Sequence, residues 1–451
     1  MIESQIISRL IELKPQKSKL YLVGGAVRDV LLQKQGKDFD LVCDLDTRKI
    51  ARIFADKQHG AFYMLDPERN TSRVILTTPA GTRVFYDFAR MHGDDITRDL
   101  EARDFTINAM ALDLENPERL IDPLGGAADL KDRVLRICSE SSFNDDPVRV
   151  IRAVRYAVDL DLAMTPATLQ ALKIAVPLVR RVSAERNRDE FFKVLETGRP
   201  DIGLQLLYRL KILEQLEIAD APELLDGSQS CKALETLFEE LEGIGVRETT
   251  QALHLSSFVL KLGRFKVPLV RYLNTPNGSG RTRRTLDLLA VVMNHLPRNI
   301  FERSLTALSL SNDERTHLEA IFEHRNLLSN WSEPPDGRQI YRFFKQTQID
   351  LCMLWLADLM AKPSAECSQD CWFAALNICE KLVEAWAEKP ELVDPRPLIN
   401  GNELMLHFDL TPGKQLGQLL DSLIEEQAAG TVTNREEALQ WAANHIKPKT
   451  L

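Results

Sequence analysis

Two aspartates that could hold a metal ion stand two residues apart in Asp38-Phe39-Asp40. Residues i and i+2 of a strand point to the same face, so on a strand the two carboxylates would converge. Adjacent carboxylates repel each other unless a cation lies between them. Hard oxygen ligands in an open coordination shell favour Mg²⁺, so the pair predicts a magnesium site. The alternative is an exposed aspartate pair at the edge of a sheet.

A glycine pair, Gly24-Gly25, separates a β-rich run from a helix-like stretch. Glycine lets the backbone amides at a helix N-terminus approach an anion closely. Arg28 follows three residues later, where its guanidinium could reach the phosphates of a nucleotide. Tight turns use the same glycine pair, so a phosphate site and an ordinary turn both fit this motif.

A second candidate phosphate site starts at Arg103-Asp104 and continues to Asn108. Arg103 could hold a phosphate while Asp104 orients the guanidinium. The alternative is a helix capped by Asp104, with Asn108 exposed.

A further group of charged residues follows Asp146-Pro147. Asp146 is predicted to cap a helix with Pro147 at its first position. Residues three apart on a helix share a face, which would bring Asp146 beside Arg149 and Arg149 beside Arg152. The alternative is a surface ion pair, worth less than about 1 kcal/mol.

These motifs need elements to position them. Short β-rich runs at 20–23, 39–42, 73–77 and 83–88 predict strands, and 26–33 and 47–57 predict helices. Asp44 and Asp46 are predicted to cap the helix at 47–57. From Asp146 onward the apolar spacing is helical nearly to the end.

Charge is unevenly distributed along the 451 residues. The chain carries 57 basic and 66 acidic side chains, a net −9 that by itself argues against a nucleic-acid partner. Residues 214–248 hold ten acids, whereas residues 261–284 hold seven basic side chains and no acid. The latter end in Arg281, Arg283 and Arg284 after a Gly-Ser break, which predicts a phosphate-contacting loop; a solvated helix face is the alternative.

The remaining composition excludes other classes. No run of about 18 apolar residues predicts a membrane span, and the first residues lack the pattern of a secretory signal. Seven scattered cysteines offer no second pair at zinc-site spacing beside Cys367 and Cys371, so we expect reduced thiols and a cytoplasmic protein. None of the eight histidines is followed by Asp, which argues against a His-Asp phosphohydrolase site. The sequence does not define an oligomeric state.

The four motifs together, in this order, resemble those of the class II tRNA nucleotidyltransferase and bacterial poly(A) polymerase family. Residues 183–190 are similar to the fifth motif of that family, and residues 398–417 resemble its C-terminal unit. The resemblance is detailed over 20–200, recurs at 397–442 and is indistinct over 215–390.

The resemblance implies an α+β protein in four parts. A polymerase-β-like nucleotidyltransferase head with a small mixed sheet would occupy 1–140, followed by a helical neck at 141–215 that carries the nucleotide-selecting motif. An RNA-binding helical body would occupy 216–390, and a helical tail 391–451. The implied partners are the 3′ end and acceptor arm of tRNA, with CTP and/or ATP, and no membrane.

The resemblance also implies a role for each motif residue. Asp38 and Asp40 would bind catalytic Mg²⁺ as the tRNA 3′-hydroxyl attacks the α-phosphate and pyrophosphate leaves. Asp87 would be a third catalytic carboxylate, although its strand face is open in the sequence. Asp146 and Arg149 would read the base of the incoming nucleotide. The remaining implied nucleotide-binding residues are Gly24, Gly25, Arg28, Arg103, Asp104, Asn108 and Arg152.

Three departures from the family pattern bear on the substrate. Ala102 stands where a first arginine is usual before Arg103, and Asp145 stands where Glu is usual. Only residues 91–98 occupy the place of a longer flexible element in CCA-adding members, which resembles CC-adding enzymes. A-adding, full CCA-adding and poly(A)-adding activities stay open as alternatives, as does an inactive RNA-binding protein with a nucleotidyltransferase-like head.

Overall fold

The computed structural model describes residues 10–12, 18–34, 36–68, 70–78, 81–93, 95–218, 222–243, 252–363 and 365–446. The chain divides into two compact units. The first is Met1–Phe191 with Arg209–Gln215, and the second is Phe192–Tyr208 with Leu216–Leu451. The four-part division at 140, 215 and 390 stays a prediction.

The first unit is built on a seven-stranded mixed sheet with the order β3-β4-β5-β2-β1-β6-β7. Strand β2 runs parallel to β5, and the other pairs are antiparallel. The bounds are β1 Leu20–Val23, β2 Asp38–Cys43, β3 Ala61–Asp66, β4 Thr71–Thr77, β5 Arg83–Arg90, β6 Ala111–Asp113 and β7 Asn116–Ile121. The four predicted strands are present, and β3, β6 and β7 are additional.

The additional strands give weak sequence signals for physical reasons. Strand β3 lies at the edge of the sheet, and its residues alternate between exposed and partly buried, with apolar side chains in both sets. Strand β6 has only three residues. Strand β7 is the other edge and contains Pro117, a residue that edge strands tolerate.

Helices and two short strands complete the residues up to 215. Their bounds are α1 Gly25–Leu31, α2 Thr47–Gln58, α3 Ile96–Glu101, α4 Gly126–Lys131, β8 Val134–Leu135, α5 Ser142–Asp145, α6 Arg149–Asp159, β9 Ala163–Met164, α7 Pro166–Ala175, α8 Ala184–Leu195, α9 Pro200–Arg209 and α10 Ile212–Gln215. Asp46 caps α2 through the amide of Arg48, as predicted. The cap prediction for Asp44 is wrong, because its carboxylate accepts the Lys19 amide instead.

Alternation along β2 sorts its side chains onto the two faces of the sheet. Leu41 and Cys43 pack with Phe54 of α2 on one face. Val42 packs with Ile96 and Leu100 on the other face. By the same alternation, Asp38 and Asp40 belong to the face opposite α2.

The second unit is helical. Its further helices are α11 Glu223–Glu242, α12 Ala252–Leu262, α13 Lys266–Leu273, α14 Arg283–Met293, α15 Arg298–Ala307, α16 Asn312–His324, α17 Gly337–Gln346, α18 Asp350–Ala361, α19 Gln369–Glu388, α20 Pro390–Val393, α21 Gly401–Phe408, α22 Lys414–Ala428 and α23 Arg435–His445. Helix α11 crosses α14 closely at Gly227, where a Cβ atom would lie 2.7 Å from the carbonyl oxygen of Val292. Helices α21 to α23 share a small core that contains Leu404, Leu423 and Ala438.

The three arginines of the predicted phosphate-contacting loop are bound to carboxylates of the same unit. Arg281 donates to Glu314 at 2.8 Å, and Arg284 donates to Glu235 at 2.6 Å. Arg284 also pairs with Glu242, so part of the acidic segment 214–248 neutralises the basic one. Carboxylates of the same unit therefore neutralise much of the positive charge of this loop, and its contact with phosphate stays a prediction. Of the acidic segment, 219–221 and 244–248 lie outside the described residues.

Two expectations from composition agree with the structure. Within the described residues, no helix is both long and apolar enough to cross a membrane. All seven cysteines fall within these residues and are free thiols, and five of them are buried.

Candidate functional site

Three carboxylates lie together on one face of the central sheet. The parallel register of β2 and β5 places Asp40 opposite Asp87 and Asp38 opposite Phe85. Paired residues of adjacent strands share a face, so Asp38, Asp40 and Asp87 point to the same side. On the other side Phe39 stacks on Tyr86, with ring centroids 5.2 Å apart. The structure thus resolves the face of Asp87, which the sequence left open.

The pKa of the Asp40 carboxyl group is raised in this cluster. Asp40 is exposed to solvent in the cleft, but the surrounding protein displaces much of its hydration and raises its pKa. Arg103 opposes that shift, whereas the negative charges of Asp87 and Asp38 add to it. A cation among the carboxylates would relieve this repulsion.

Asp87 is held by an arginine that the sequence analysis missed. Arg73 on β4 stands opposite Asp87 in the antiparallel register. Its Nε and Nη2 atoms donate to Oδ1 and Oδ2 of Asp87, each at 2.7 Å. This two-pronged geometry fixes the carboxylate plane. The pairing depends on the register of β4 with β5, which cannot be read from the sequence.

Gly24 brings the backbone close to Asp40 and Arg103. Its φ of 71° lies in the left-handed region that glycine tolerates. A Cβ atom there would lie 3.1 Å from Oδ2 of Asp40 and 3.0 Å from Nη1 of Arg103. At Gly25 a Cβ atom would lie 3.3 Å from Nη2 of Arg28. Side chains at these two positions would crowd the groups that the motif brings together.

Arg28 is buried beneath the cleft and bound on several sides. Its Nη1 donates to Oδ1 of Asn108 at 2.7 Å, and its Nε and Nη2 donate to Oδ1 of Asp29. Burial opposes its charge, but Tyr156 and Asp29 outweigh that effect and raise the pKa of Arg28. Asn108 is also buried, so the alternative of an exposed Asn108 on a capped helix is wrong.

Asp104 orients Arg152, and this corrects the prediction that it orients Arg103. Oδ2 of Asp104 accepts from Nη1 of Arg152 at 3.1 Å, and Oδ1 accepts from Asn108 and from the Phe105 amide. Burial opposes ionisation of Asp104, but Arg152 and Asn108 lower its pKa overall, so it remains a carboxylate.

Arg103 is oriented by Asp99, one helical turn earlier. Its Nε and Nη2 donate to Oδ2 of Asp99 at 3.2 and 3.0 Å. The other carboxylate oxygen of Asp99 accepts the backbone amide of His92 at 2.8 Å. The i,i+4 spacing of Asp99 and Arg103 was the available signal for this pair in the sequence.

The two residues predicted to read the base are held by different partners. The helix with Arg149 begins at Arg149 itself, after Val148, and has no side-chain cap. The prediction that Asp146 caps it is therefore wrong; Asp146 has extended backbone, and its Oδ2 accepts from Nη2 of Arg186 at 2.7 Å. The guanidinium of Arg149 donates to Ser142 Oγ at 2.9 Å and to the carbonyl oxygen of Ala102 at 3.1 Å.

Most of the predicted site residues line one cleft of about 610 Å³ in the first unit. From the predicted set, it is lined by Gly24, Gly25, Asp40, Arg103, Asp104, Asn108, Asp146, Arg149 and Arg152. Arg28 lies below this lining, where it is bound to Asn108. Asp38 and Asp87 share the sheet face of Asp40. His92, Asp99 and Tyr156 also line the cleft and were not predicted.

Family models match three parts of the chain. The poly A polymerase head domain matches residues 20–136, and a probable RNA and SrmB-binding site of polymerase A matches 161–224. A putative tRNA nucleotidyltransferase domain 2 matches 282–443. The CC-adding tRNA nucleotidyltransferase of Geobacter sulfurreducens is 31% identical over 94% of this chain and 91% of its own. The chain belongs to the class II tRNA nucleotidyltransferase family.

Other members of the family agree with this assignment. The A-adding tRNA nucleotidyltransferase of Deinococcus radiodurans is 32% identical over 92% of this chain and 93% of its own. The solved structure of a CCA-adding enzyme with ATP superposes with a TM-score of 0.67 at 22% identity, covering 98% of this chain and 95% of that one. The α+β fold expected from the sequence is therefore confirmed, as is the assignment to an enzyme family.

Membership of this nucleotidyltransferase family implies use of a divalent metal, and the head carboxylates fit one. Asp38, Asp40 and Asp87 offer hard oxygen ligands on a single face, and burial raises the pKa of Asp40, to which the charges of Asp87 and Asp38 add. Asp38 and Asp40 are exposed, so an ion that retains waters and phosphate ligands can reach them. A second cluster with carboxylate ligands lies in the second unit, but its two aspartates are buried.

That second cluster consists of Asp287, His317 and Asp350, whose ligand atoms all lie within 4.8 Å of one another. Nε2 of His317 lies 3.3 Å from Oδ1 of Asp287, and its Nδ1 lies 3.4 Å from Nη1 of Arg283. An imidazole beside this arginine accepts at Nδ1 and carries its proton on Nε2, the atom that would have to bind a metal. Tyr272 donates to Oδ2 of Asp350 at 2.6 Å. The hydrogen bonds thus favour a proton over a metal ion at this cluster.

Proposed function

We propose that this enzyme transfers CMP from CTP to the 3′ end of tRNA, without a nucleic-acid template and with release of pyrophosphate. The observation that carries the proposal is the one cleft that joins a metal-binding carboxylate, Asp40, to phosphate-binding arginines and to the pair Asp146 and Arg149. A nucleoside triphosphate needs a group of each kind, for its metal, its phosphates and its base.

Asp38, Asp40 and Asp87 are the proposed ligands of two Mg²⁺ ions. Mg²⁺ at this place would activate the 3′-hydroxyl and stabilise charge on the α-phosphate and the leaving pyrophosphate. Asp38 and Asp40 supply carboxylate oxygens from adjacent positions on one strand face. Asp87 has both oxygens on Arg73, but each oxygen keeps a second lone pair for a metal.

Two guanidinium groups are proposed to hold the triphosphate, and a third to support them. Arg103 and Arg152 line the cleft, and Asp99 and Asp104 fix their directions. Arg28 supports this surface from below through its bond to Asn108. Orientation by a carboxylate leaves the other guanidinium hydrogens available for phosphate oxygens, because arginine has five N–H donors. The glycines at 24 and 25 keep the backbone side of the cleft open.

Asp146 and Arg149 are proposed to select the base. Cytosine presents an amino donor beside its N3 and O2 acceptors, and adenine presents an amino donor beside N1. A carboxylate accepts from the amino group, and a guanidinium donates to the acceptors. Uracil and guanine reverse that polarity, so like groups would face each other and these bases would be rejected.

The short segment 91–98 supports the CC-adding subtype. At its start the backbone amide of His92 is bound to Asp99, the same side chain that orients Arg103. Helix α3 begins at Ile96, so few residues remain between these fixed points, and Asp94 lies outside the described residues. His92 and the start of α3 are thus both anchored beside the arginine proposed for the triphosphate. Curated relatives include CC-adding enzymes of Geobacter sulfurreducens and Synechocystis.

An A-adding activity is the second candidate, because the Deinococcus radiodurans relative with that activity matches over almost the whole chain. Asp146 and Arg149 suit adenine as well as cytosine, so base polarity does not separate the two subtypes. Full CCA addition and poly(A) addition use the same chemistry and are distinguished by product length. A cytoplasmic location, expected from the thiols, stays a prediction.

One assay separates these activities. The protein is incubated with Mg²⁺, labelled CTP or ATP, and tRNA that ends at the discriminator base, after one cytidine or after two. CC addition predicts CTP labelling of the first two substrates and no ATP labelling. ATP labelling of the CC-ended tRNA alone would establish A addition, both labels would establish CCA addition, and long tails would establish poly(A) addition. No incorporation on any primer would favour an inactive RNA-binding protein.

A further inference from the structure

Arg186 is bound to the carboxylate that is proposed to read the base. It lies in the first turn of α8, and its side chain is 54% exposed. Its Nη2 donates to Oδ2 of Asp146 at 2.7 Å, across 40 residues of sequence. A charge-assisted bond of this length fixes the direction of the acceptor.

The backbone around Asp146 does little to fix its side chain. Asp146 follows the short helix α5 in extended conformation, and α6 begins three residues later without a side-chain cap. Arg149, in contrast, is anchored on Ser142 Oγ and on the carbonyl oxygen of Ala102. The two base-reading side chains are therefore oriented by different elements, and the contact that orients Asp146 comes from α8.

The same face of α8 also supports the phosphate end of the site. Glu190 follows Arg186 by four residues, so the two side chains project from neighbouring turns. Oε1 of Glu190 accepts from Nη2 of Arg152 at 3.3 Å, and its Oε2 lies 3.2 Å from Nε of Arg155. One helix thus contacts both a base-reading residue and a triphosphate-binding residue.

We propose that Arg186 is a positioning residue for base selection, which acts by holding Oδ2 of Asp146 and directing Oδ1 at the amino group of the incoming base. This rests on the proposed function, in which Asp146 reads the base. A carboxylate can only accept a hydrogen bond, so its direction decides which base it suits. Without Arg186, the carboxylate of Asp146 can rotate away from the amino group of the base.

The test measures discrimination and not only rate. We expect R186Q to lower the ratio of kcat/KM for CTP over UTP by about tenfold or more, because one charge-assisted bond no longer directs the carboxylate. KM for CTP should change less than this ratio does. R186K should restore part of the discrimination, since lysine keeps the charge but has a single donor group. R52Q removes another arginine of the first unit that pairs with an aspartate, and it should leave the ratio unchanged.

A double-mutant cycle with D146N separates positioning from a general structural effect. If Arg186 acts through Asp146, R186Q should add little to the loss of discrimination that D146N already causes. An unchanged CTP-to-UTP ratio in R186Q would overturn the proposal. So would an equal loss for every nucleotide together with a raised KM for tRNA, which would make Arg186 an RNA contact. If the unmodified enzyme incorporates no nucleotide, the proposed function itself fails.

Discussion

Each unit contains a cluster of aspartates, and the two clusters differ in their access to water. In the first unit Asp38 and Asp40 are exposed at the edge of a large cleft, with Asp87 beside them. In the second unit Asp287 and Asp350 are 0% and 1% exposed, under Tyr272 and His317. Both arrangements concentrate negative charge, but only the open cluster can bind ions that arrive from solvent.

The difference lies in what relieves the repulsion between the carboxylates. A hydrated ion that carries a triphosphate can enter the open cleft, so the head carboxylates can stay ionised and bind it. The sealed pair retains two oxygens without a hydrogen-bond partner, Oδ2 of Asp287 and Oδ1 of Asp350. One proton between them, with Arg283 nearby, makes that cluster neutral, whereas a divalent ion would leave it positive. Clusters of the same residue type thus form a reactive site where water enters and a structural site where it does not.

The largest expected effect that separates the clusters is on activity. D40N should lower kcat of nucleotide addition by at least about 10²- to 10³-fold, the scale of losing one group that stabilises transition-state charge. The free energy of unfolding should stay equal or rise slightly, because the change removes a charge that burial disfavours and that Asp87 and Asp38 repel. Steady-state kinetics at saturating Mg²⁺ and urea unfolding check the two parts.

Two variants complete that comparison. D56N neutralises an exposed aspartate of α2 and should change neither quantity. D287N, in the sealed cluster, should leave kcat within about twofold. A D40N enzyme with ordinary activity would remove Asp40 from the mechanism, and a large loss of kcat in a well-folded D287N would connect the second cluster to catalysis.

The local geometry of the motif residues could be predicted from the sequence because their spacing along the chain determines it. Asp38 and Asp40 lie on one strand face by alternation alone, and Asp46 caps α2 by local preference. The motif order identified the family before any fold was known. These signals act over a few residues, where the backbone geometry of a strand or a helix start is nearly fixed.

Partners from distant parts of the chain could not be predicted from the sequence, because they meet only through the tertiary fold. Arg73 reaches Asp87 through the strand register, and Arg186 reaches Asp146 across 40 residues. The basic segment at 261–284 illustrates the same limit. Its charge density was visible, but Arg284 is paired with Glu235, which lies 49 residues away in sequence. Composition reports a charge and not the side chain that neutralises it.

A matched pair of arginines provides an effect of intermediate size. R152Q should raise KM for CTP by roughly tenfold, because it removes a charge-assisted contact proposed for the triphosphate. R284Q should leave KM unchanged and lower the free energy of unfolding by roughly 2 kcal/mol, less than for a fully buried pair because water reaches the guanidinium. Nucleotide titrations and denaturant unfolding of both variants test whether Arg152 affects KM and Arg284 affects stability. An altered KM for CTP in R284Q would contradict it.

The smallest expected effect is a pH dependence of stability that belongs to the sealed cluster. Burial raises the pKa of Asp287, and the negative charge and hydrogen bond of Asp350 raise it further. The folded protein therefore binds a proton that the unfolded chain has already released above the ordinary aspartate pKa. Stability from this group is complete below that pKa and is lost as the pH rises toward the raised value, by at most about 1.4 kcal/mol per pH unit. D287N cannot release a proton and should flatten this slope.

The control for this measurement is an exposed acid of the same unit. D370N should keep the slope of the unmodified protein, since Asp370 is exposed on α19. Thermal unfolding from pH 5.5 to 9 in a chelating buffer compares the three proteins without a metal contribution. If a divalent ion, and not a proton, neutralised Asp287 and Asp350, the chelator would lower the unfolding temperature of the unmodified protein and added metal would restore it. The alternative outcome is a dependence of stability on pH that persists in the chelator and disappears only in D287N. That result would show that a shared proton allows two aspartates to be packed in a protein core.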